Sequence, residues 1–264
     1  MIDLPQELLA KIIGHLSPHA PSLRNCSLVA KSWLYPSQSH LFHSVNVQGL
    51  YALRSWQTII SPANTELLQH VRSLHCTITY LSNSPLSRAN CVEFLTEYSP
   101  SLRQLKRLSL ALGHISSLNQ LGTPSAFQHT LAGLSLVDCD VTINILATLV
   151  NYFYNLVDLH LCGLNYVVND QPSPPLSRPL RKLTVANFYY RCDLTLIDQL
   201  SGLQPQCDEV TIWSFLPSPS LAQRVINGVE ASVRYLHLGK DLKGAYSARD
   251  LAIRVTRRNT AILL

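Results

Sequence analysis

The sequence predicts an α/β fold: a three-helix unit over residues 1–45, then over residues 46–264 a solenoid with parallel strands on its concave side and helices on its convex side. Two observations lead there. An apolar sextet returns as Leu105-x-x-Leu108-x-Leu110, Leu131-x-x-Leu134-x-Leu136, Leu156-x-x-Leu159-x-Leu161, Leu180-x-x-Leu183-x-Val185, Cys207-x-x-Val210-x-Ile212 and Val233-x-x-Leu236-x-Leu238. Recurrence at such a period is the mark of a repeat architecture. Ahead of the sextets, apolar residues recur at helical spacing between proline-bearing breaks.

Composition narrows the class. The 264 residues suffice for one large or two modest domains with a substantial core. Only 14% are charged and 47% are apolar, against roughly 25% charged in an average soluble protein, so much of the chain is buried or meets a partner. The formal charge is +5 and the 21 basic residues are scattered, which gives nucleic acid binding little support. The tightest basic cluster, Arg254, Arg257 and Arg258, has helical spacing and reads as a solvated helix face before it reads as an anion site or nuclear signal. Seven dispersed cysteines without a Cys-x-x-Cys pair point to reduced thiols. Glu7 and Lys11 interrupt the first apolar stretch, and no run of about 18 apolar residues follows. The expectation is a soluble protein of the cytoplasm, the nucleus or both, with no membrane partner.

Pro5 suits the first position of a helix, where a missing N–H costs nothing, and the helix is expected to run to about Leu16. Leu8, Leu9, Ile12, Ile13 and Leu16 make an apolar stripe wider than one face of a three-helix unit needs. Pro18 and Pro21 are expected to end it. A second helix is expected over about residues 22–29 and a third over about 32–42, with Pro36 breaking or kinking its first turn. So small a unit buries too little surface to be robust alone, and is expected to pack on a neighbour or partner. On periodicity alone it is a plain helical cap on the solenoid.

The same residues carry a resemblance. Leu4, Pro5, Glu7, Leu8, Leu9, Ile12, Leu16, Leu23, Leu28, Val29, Lys31 and Trp33 match the F-box pattern position by position, and His40-Leu41-Phe42 resembles its closing segment. Ala30 stands where that family often has cysteine and Ser22 where aspartate is frequent; neither change removes an apolar anchor. The unit thus resembles an F-box, which binds the Skp-type adaptor of cullin-RING ubiquitin ligases. The resemblance implies Pro5, Leu8, Leu9, Ile12, Leu16, Leu28, Val29 and Trp33 as adaptor contacts, with apolar residues supplying most of the binding energy. Lys31 adds at most a rim ion pair.

The body resembles degenerate leucine-rich repeats. Weaker sextets at Val71-x-x-Leu74-x-Cys76 and Phe42-x-x-Val45-x-Val47 start the repeats directly at the end of the helical unit. Each sextet is expected to form a strand with its apolar members inward. Helices are expected over residues 142–153 and 220–233, and a last one carrying Leu251 and Val255 behind a capping box at Ser247-Ala248-Arg249-Asp250. Three residues after the sextets, where regular repeats prefer asparagine or cysteine, stand Gly113, Cys139, Leu164, Phe188, Phe215 and Asp241. Proline-rich residues 170–179 and 216–219 read as extended insertions. The sequence runs to Ile262-Leu263-Leu264 without an obvious polar cap, which leaves a final strand exposed, partnered or cut short.

Residues between the apolar strand positions form the candidate target face: Arg107, Asp158, His160, Lys182, Glu209, Thr211, Trp213, Tyr235 and His237. Trp213 and Tyr235 are the natural anchors, since aromatic residues lead at interfaces. The competing reading is a solenoid face partly covered by a loop. His160, Cys162 and Asp158 share a strand face and suggest a metal or nucleophile site. No His-x-x-x-His, Cys-x-x-Cys or Gly-rich phosphate loop accompanies them, so no catalytic residue, metal or cofactor is expected. Ser84-Pro85 and Ser173-Pro174 fit proline-directed kinases, though turn formation explains them more simply.

These readings converge on a non-enzymatic substrate-recognition adaptor of an SCF (Skp-cullin-F-box) ubiquitin ligase. Its expected partners are the Skp-type adaptor, through it the cullin-RING ligase, and a target protein. A non-ligase interaction scaffold is the alternative, and a cysteine or metal hydrolase a distant third.

Overall fold

The computed structural model describes residues 4–60, 62–77, 85–111, 114–115, 124–166, 176–186, 207–214, 235–240, 251–256 and 259–260. Pro5 is the N-cap of helix α1 (Gln6–His15), one residue ahead of the expected position, and its carbonyl accepts from the amides of Leu8 and Leu9 at 3.0 and 3.1 Å. Helix α2 (Ala20–Val29) begins earlier than expected. Pro21 sits in its first turn, where no amide partner is needed, and His19 Nδ1 accepts from the Ser22 amide at 3.3 Å. Pro21 therefore opens the second helix and does not close the first. Pro36 lies inside α3 (Lys31–Leu41), which continues through it to Leu41. Leu9, Ile13 and Leu23 form the core of this unit, with Leu16, Trp33 and Leu41 packed around them.

Strand β1 (Ser44–Gln48) follows at once and opens a ten-stranded sheet. Every sextet delivers a strand: β2 (Ser73–Thr77), β3 (Arg107–Ala111), β5 (Gly133–Val137), β7 (Asp158–Cys162), β9 (Leu180–Ala186), β10 (Cys207–Ser214) and β11 (Tyr235–Lys240). From β1 to β11 they pair in parallel and in chain order. Register sets equivalent positions side by side, so Val45, Leu74, Leu108, Leu134, Leu159, Leu183, Val210 and Leu236 make one continuous row. Alternation of side chains across a strand sends this row to one face and its neighbours to the other. From Val45 to Val210 the row is buried and shares one core with Leu53 of α4 (Gly49–Ile59), Phe94 and Leu95 of α5 (Pro85–Tyr98), and Leu146 and Leu149 of α6 (Ile143–Tyr152). The T-shaped contact of Phe42 with Trp56 joins the end of α3 to α4, with ring centroids 6.0 Å apart.

Helix α6 fills the expected span 142–153, and the Thr142 hydroxyl caps it by accepting from the Ile145 amide at 3.4 Å. Thr142→Ala is expected to cost about 1 kcal/mol, read as a lowered thermal midpoint with unchanged adaptor affinity. The expected helix over 220–233 and the insertion over 216–219 lie outside the described residues. So do residues 170–175 of the other insertion, whose residues 176–179 are irregular.

The C-terminal expectation is corrected. Leu251–Thr256 is strand β12, antiparallel to β11, and Asn259–Thr260 is β13, antiparallel to β12. Arg254 therefore lies on a strand opposite Tyr235 rather than on a helix face. Ile253, Val255 and Thr256 are β-branched, which favours the pleated conformation over the helix.

A second, parallel sheet of three short strands runs alongside: β4 (His114–Ile115), β6 (Asp140–Val141) and β8 (Asn165–Tyr166). Between the two sheets the chain turns sharply, and Asp138 and Gly163 hold equivalent places with φ of 48° and 60°. Their amides donate to the carbonyls of Cys162 and Ala186 at 2.8 and 3.0 Å. A Cβ on Gly163 would fall on Asp138 Oδ1. Gly163→Ala is expected to lose about 2 kcal/mol from left-handed strain and this collision, measured by urea denaturation. Beyond the turn Cys139 is buried, its thiol donating to the carbonyls of Val137 (3.2 Å) and Leu110 (3.5 Å), and Leu164 is buried too. Gly113, Phe188, Phe215 and Asp241 lie outside the described residues. No helix among the described residues is long and apolar enough to cross a membrane.

Candidate functional site

The helical unit presents an unusual surface. Leu8 is 48% exposed and Leu28 84% exposed, and Leu4, Ile12, Val29, Leu34 and Tyr35 are exposed with them. Apolar side chains at this density on so small a unit mark an interaction site. Among the residues expected there, Pro5, Leu8, Ile12, Leu28 and Val29 lie open, while Leu16 and Trp33 are half-buried. Leu9 is placed otherwise: it is 2% exposed and packs on Ile13 and Leu23. Its contact is with the unit's own core, because the wide stripe of α1 has one half turned inward and the other outward. Leu4, which matches the motif, was left out of the expected contacts, and Leu34 and Tyr35 were missed by motif matching; all three are exposed, and exposure is not encoded in spacing.

The sheet presents a polar face opposite its core. One row runs Ser73, Arg107, Gly133, Asp158, Lys182, Glu209 and Tyr235, and the next His75, Ser109, Ser135, His160, Thr184, Thr211 and His237. Lys182 Nζ donates to Glu209 Oε1 at 2.6 Å, a partly exposed pair. Such a pair contributes about 0.5 kcal/mol, so it orders the face more than it stabilises the fold. Ser135 Oγ lies 3.2 Å from His160 Nδ1. Loss of hydration, then the neighbouring Lys182, lowers the pKa of His160. Arg107 and His160 are exposed, and Asp158, Lys182 and Glu209 are half-buried. Thr211 is buried, at 7% exposure, where an open position was expected. Trp213, Tyr235 and His237 hold register positions opposite Ala186, Glu209 and Thr211; their side chains lie outside the described residues.

With both surfaces in view, comparison with known families bears on the first. Residues 1–48 match the F-box-like family model. The open apolar face thus belongs to an F-box-like domain, and such domains in general bind a Skp-type adaptor. No curated protein matches the chain.

No group of three or more His, Cys, Asp or Glu side chains among the described residues is placed to hold a metal ion. Burial, with Asp208 beside it, pushes the Cys207 thiol up to about 12, so at neutral pH it is no nucleophile. Motif matching also missed a stack at the edge where strands begin. His129, Tyr154 and Arg178 each stand two residues before a sextet. The His129 and Tyr154 rings stack at 4.8 Å, and the Arg178 guanidinium lies 4.4 Å over Tyr154.

Among the described residues three histidines titrate below the ordinary 6.5: His43, His70 and His160, each led by loss of hydration. His70 is buried and meets the Tyr35 ring edge-on at 4.8 Å, where the F-box-like domain joins the sheet. Below pH 6.5 the unfolded chain takes up protons that the folded chain resists. Stability from these groups is therefore complete above 6.5 and is lost as pH falls through it. The urea midpoint is expected to drop between about pH 7.5 and 5.5, and His70→Gln to flatten that fall. A flat wild-type profile would refute this.

Proposed function

We propose that the chain is the substrate-recognition adaptor of an SCF ubiquitin ligase. The exposed apolar residues on a domain matching the F-box-like model support this most directly. Pro5, Leu8, Ile12, Leu28 and Val29 dock on the Skp-type adaptor, Leu16 and Trp33 rim the contact, and Leu9 supports it from beneath. The body is a leucine-rich-repeat-like solenoid whose polar face, with Arg107, Asp158, His160, Lys182 and Glu209, receives the target protein. No residue of the chain is catalytic in this role. Ubiquitin transfer is promoted by raising the effective concentration of the target near the conjugating enzyme.

Calorimetry of the full chain with a purified Skp-type adaptor tests the reading. Stoichiometric binding is expected. A folded chain that gives no binding heat would leave an interaction scaffold outside the ligase.

A further inference from the structure

We infer that the free edge of β1 pairs antiparallel with the β1 edge of a second copy of the chain, with the two-fold axis passing through Asn46. β1 is the end strand of the ten-stranded sheet and, among the described residues, pairs only with β2. The His43 carbonyl accepts from the Arg72 and Ser73 amides at 2.9 and 3.0 Å. Peptide groups alternate in direction along a strand, so His43, Val45 and Val47 turn theirs toward β2, and Ser44, Asn46 and Gln48 turn theirs to the open edge. Among the described residues nothing hydrogen-bonds to these outward amides and carbonyls.

An open edge is a template for another strand, and proteins blunt it with lysine, proline or a bulge. β1 carries none of these: it reads Ser-Val-Asn-Val-Gln and meets β2 residue for residue over its whole length. Its surroundings leave room. The F-box-like domain joins the body through Phe42 on Trp56 of α4 and through Tyr35 on His70, the last residue of the 3-10 segment Pro62–His70. Both contacts are with helical elements and not with β1. Past the other end of the strand Gly49 takes a φ of 73° that turns the chain into α4, and a Cβ there would meet nothing within 4 Å.

The occupant follows from the strand's complementarity to itself. Antiparallel pairing about Asn46 sets Asn46 against its own copy and Ser44 against Gln48 of the second copy, each pair exchanging both backbone hydrogen bonds. Val45 then stands opposite Val47 of the second copy. Both valines are 3% exposed and belong to the core, so the two cores meet edge to edge. Ser44, Asn46 and Gln48 are exposed and carry the polar face across the axis. A two-fold sets the central residue against itself, so a charge there would repel its own copy; no residue of β1 is charged. Tyr51, 87% exposed in the first turn of α4, adds apolar surface just beyond the edge. So short a strand makes a small contact, and the dimer is weak and concentration-dependent. It lays two polar faces side by side, which raises avidity for a target with two copies of a binding segment.

Sedimentation equilibrium of the full chain tests the pairing. The apparent mass is expected to rise with concentration from the 29.5 kDa of one chain toward twice that value. Asn46→Lys and Asn46→Asp are each expected to stay monomeric, because the axis sets like charge on like, and to associate when mixed in equal amounts. Rescue by mixing is specific to an axis through residue 46. Asn46→Pro is expected to abolish the dimer and keep the urea midpoint, since the amide it removes points away from β2. A wild type that is monomeric at every concentration would overturn the inference and leave the edge to a partner's strand. A dimer that survives Asn46→Lys, or charged variants that stay apart when mixed, would overturn it as well. Each outcome reads the same whether or not the chain binds a Skp-type adaptor, so failure of the pairing and failure of the ligase reading are distinguishable.

Discussion

Leu134→Ala is expected to destabilise the body by about 3 kcal/mol, the cost of a large-to-small change in a site that collapses poorly. Leu134 is 1% exposed and stands in β5 between Leu108 of β3 and Leu159 of β7. All three belong to the single core that also holds the helices. The rigid hydrogen-bonded sheet on both sides cannot close over the lost atoms, so a cavity remains. Ser135→Ala, one residue on and facing the polar side, is expected to change stability by less than about 0.5 kcal/mol. Urea denaturation of the full chain, followed by far-ultraviolet circular dichroism, compares the two. Similar losses would mean that Leu134 is not in the core, and the register of the sheet would have to be redrawn.

That contrast is the part of the fold most readable from the sequence. Each sextet combines a strand's two-residue alternation with a spacing that returns every two dozen residues or so, and neither signal fits a helix. Strand position and facing direction then follow together. The C-terminal hairpin was not readable for a specific reason: Leu251 and Val255 are four apart, a spacing that lies on one face of a helix and equally on one face of a strand. The Ser-x-x-Asp sequence ahead of them favoured the helix. Pairing with β11 decided for the strand, and pairing is not a local property.

The candidate sites were readable to a different depth. Alternation assigned Thr211 to the polar face, since it lies between Val210 and Ile212. It cannot report what else covers that face, and Thr211 is buried. Pro36 shows the limit of propensity, because α3 tolerates it within a helix anchored by Trp33 and Leu41 on the unit's core.

Leu8 and Leu9 give the sharpest test of the adaptor surface, because the motif treats them alike and the structure does not. Leu8→Asp is expected to leave the chain folded and to weaken adaptor binding by at least about 2 kcal/mol, roughly thirtyfold, since a charge would be buried in the contact without a partner. Its native side chain is 48% exposed, so the isolated chain loses little. Leu9→Ala is expected to cost the F-box-like domain about 3 kcal/mol of its own stability, because Leu9 is 2% exposed against Ile13 and Leu23. Its effect on the adaptor is then indirect: affinity drops only as far as the domain unfolds, and a stabilising co-solvent such as sucrose should restore it. No such rescue is expected for Leu8→Asp. Calorimetry with the adaptor, run beside thermal melts of the free proteins, separates the two modes. A Leu8→Asp chain that binds normally would remove α1 from the contact, whereas rescue of Leu8→Asp by sucrose would show that Leu8 acts through folding and not through docking.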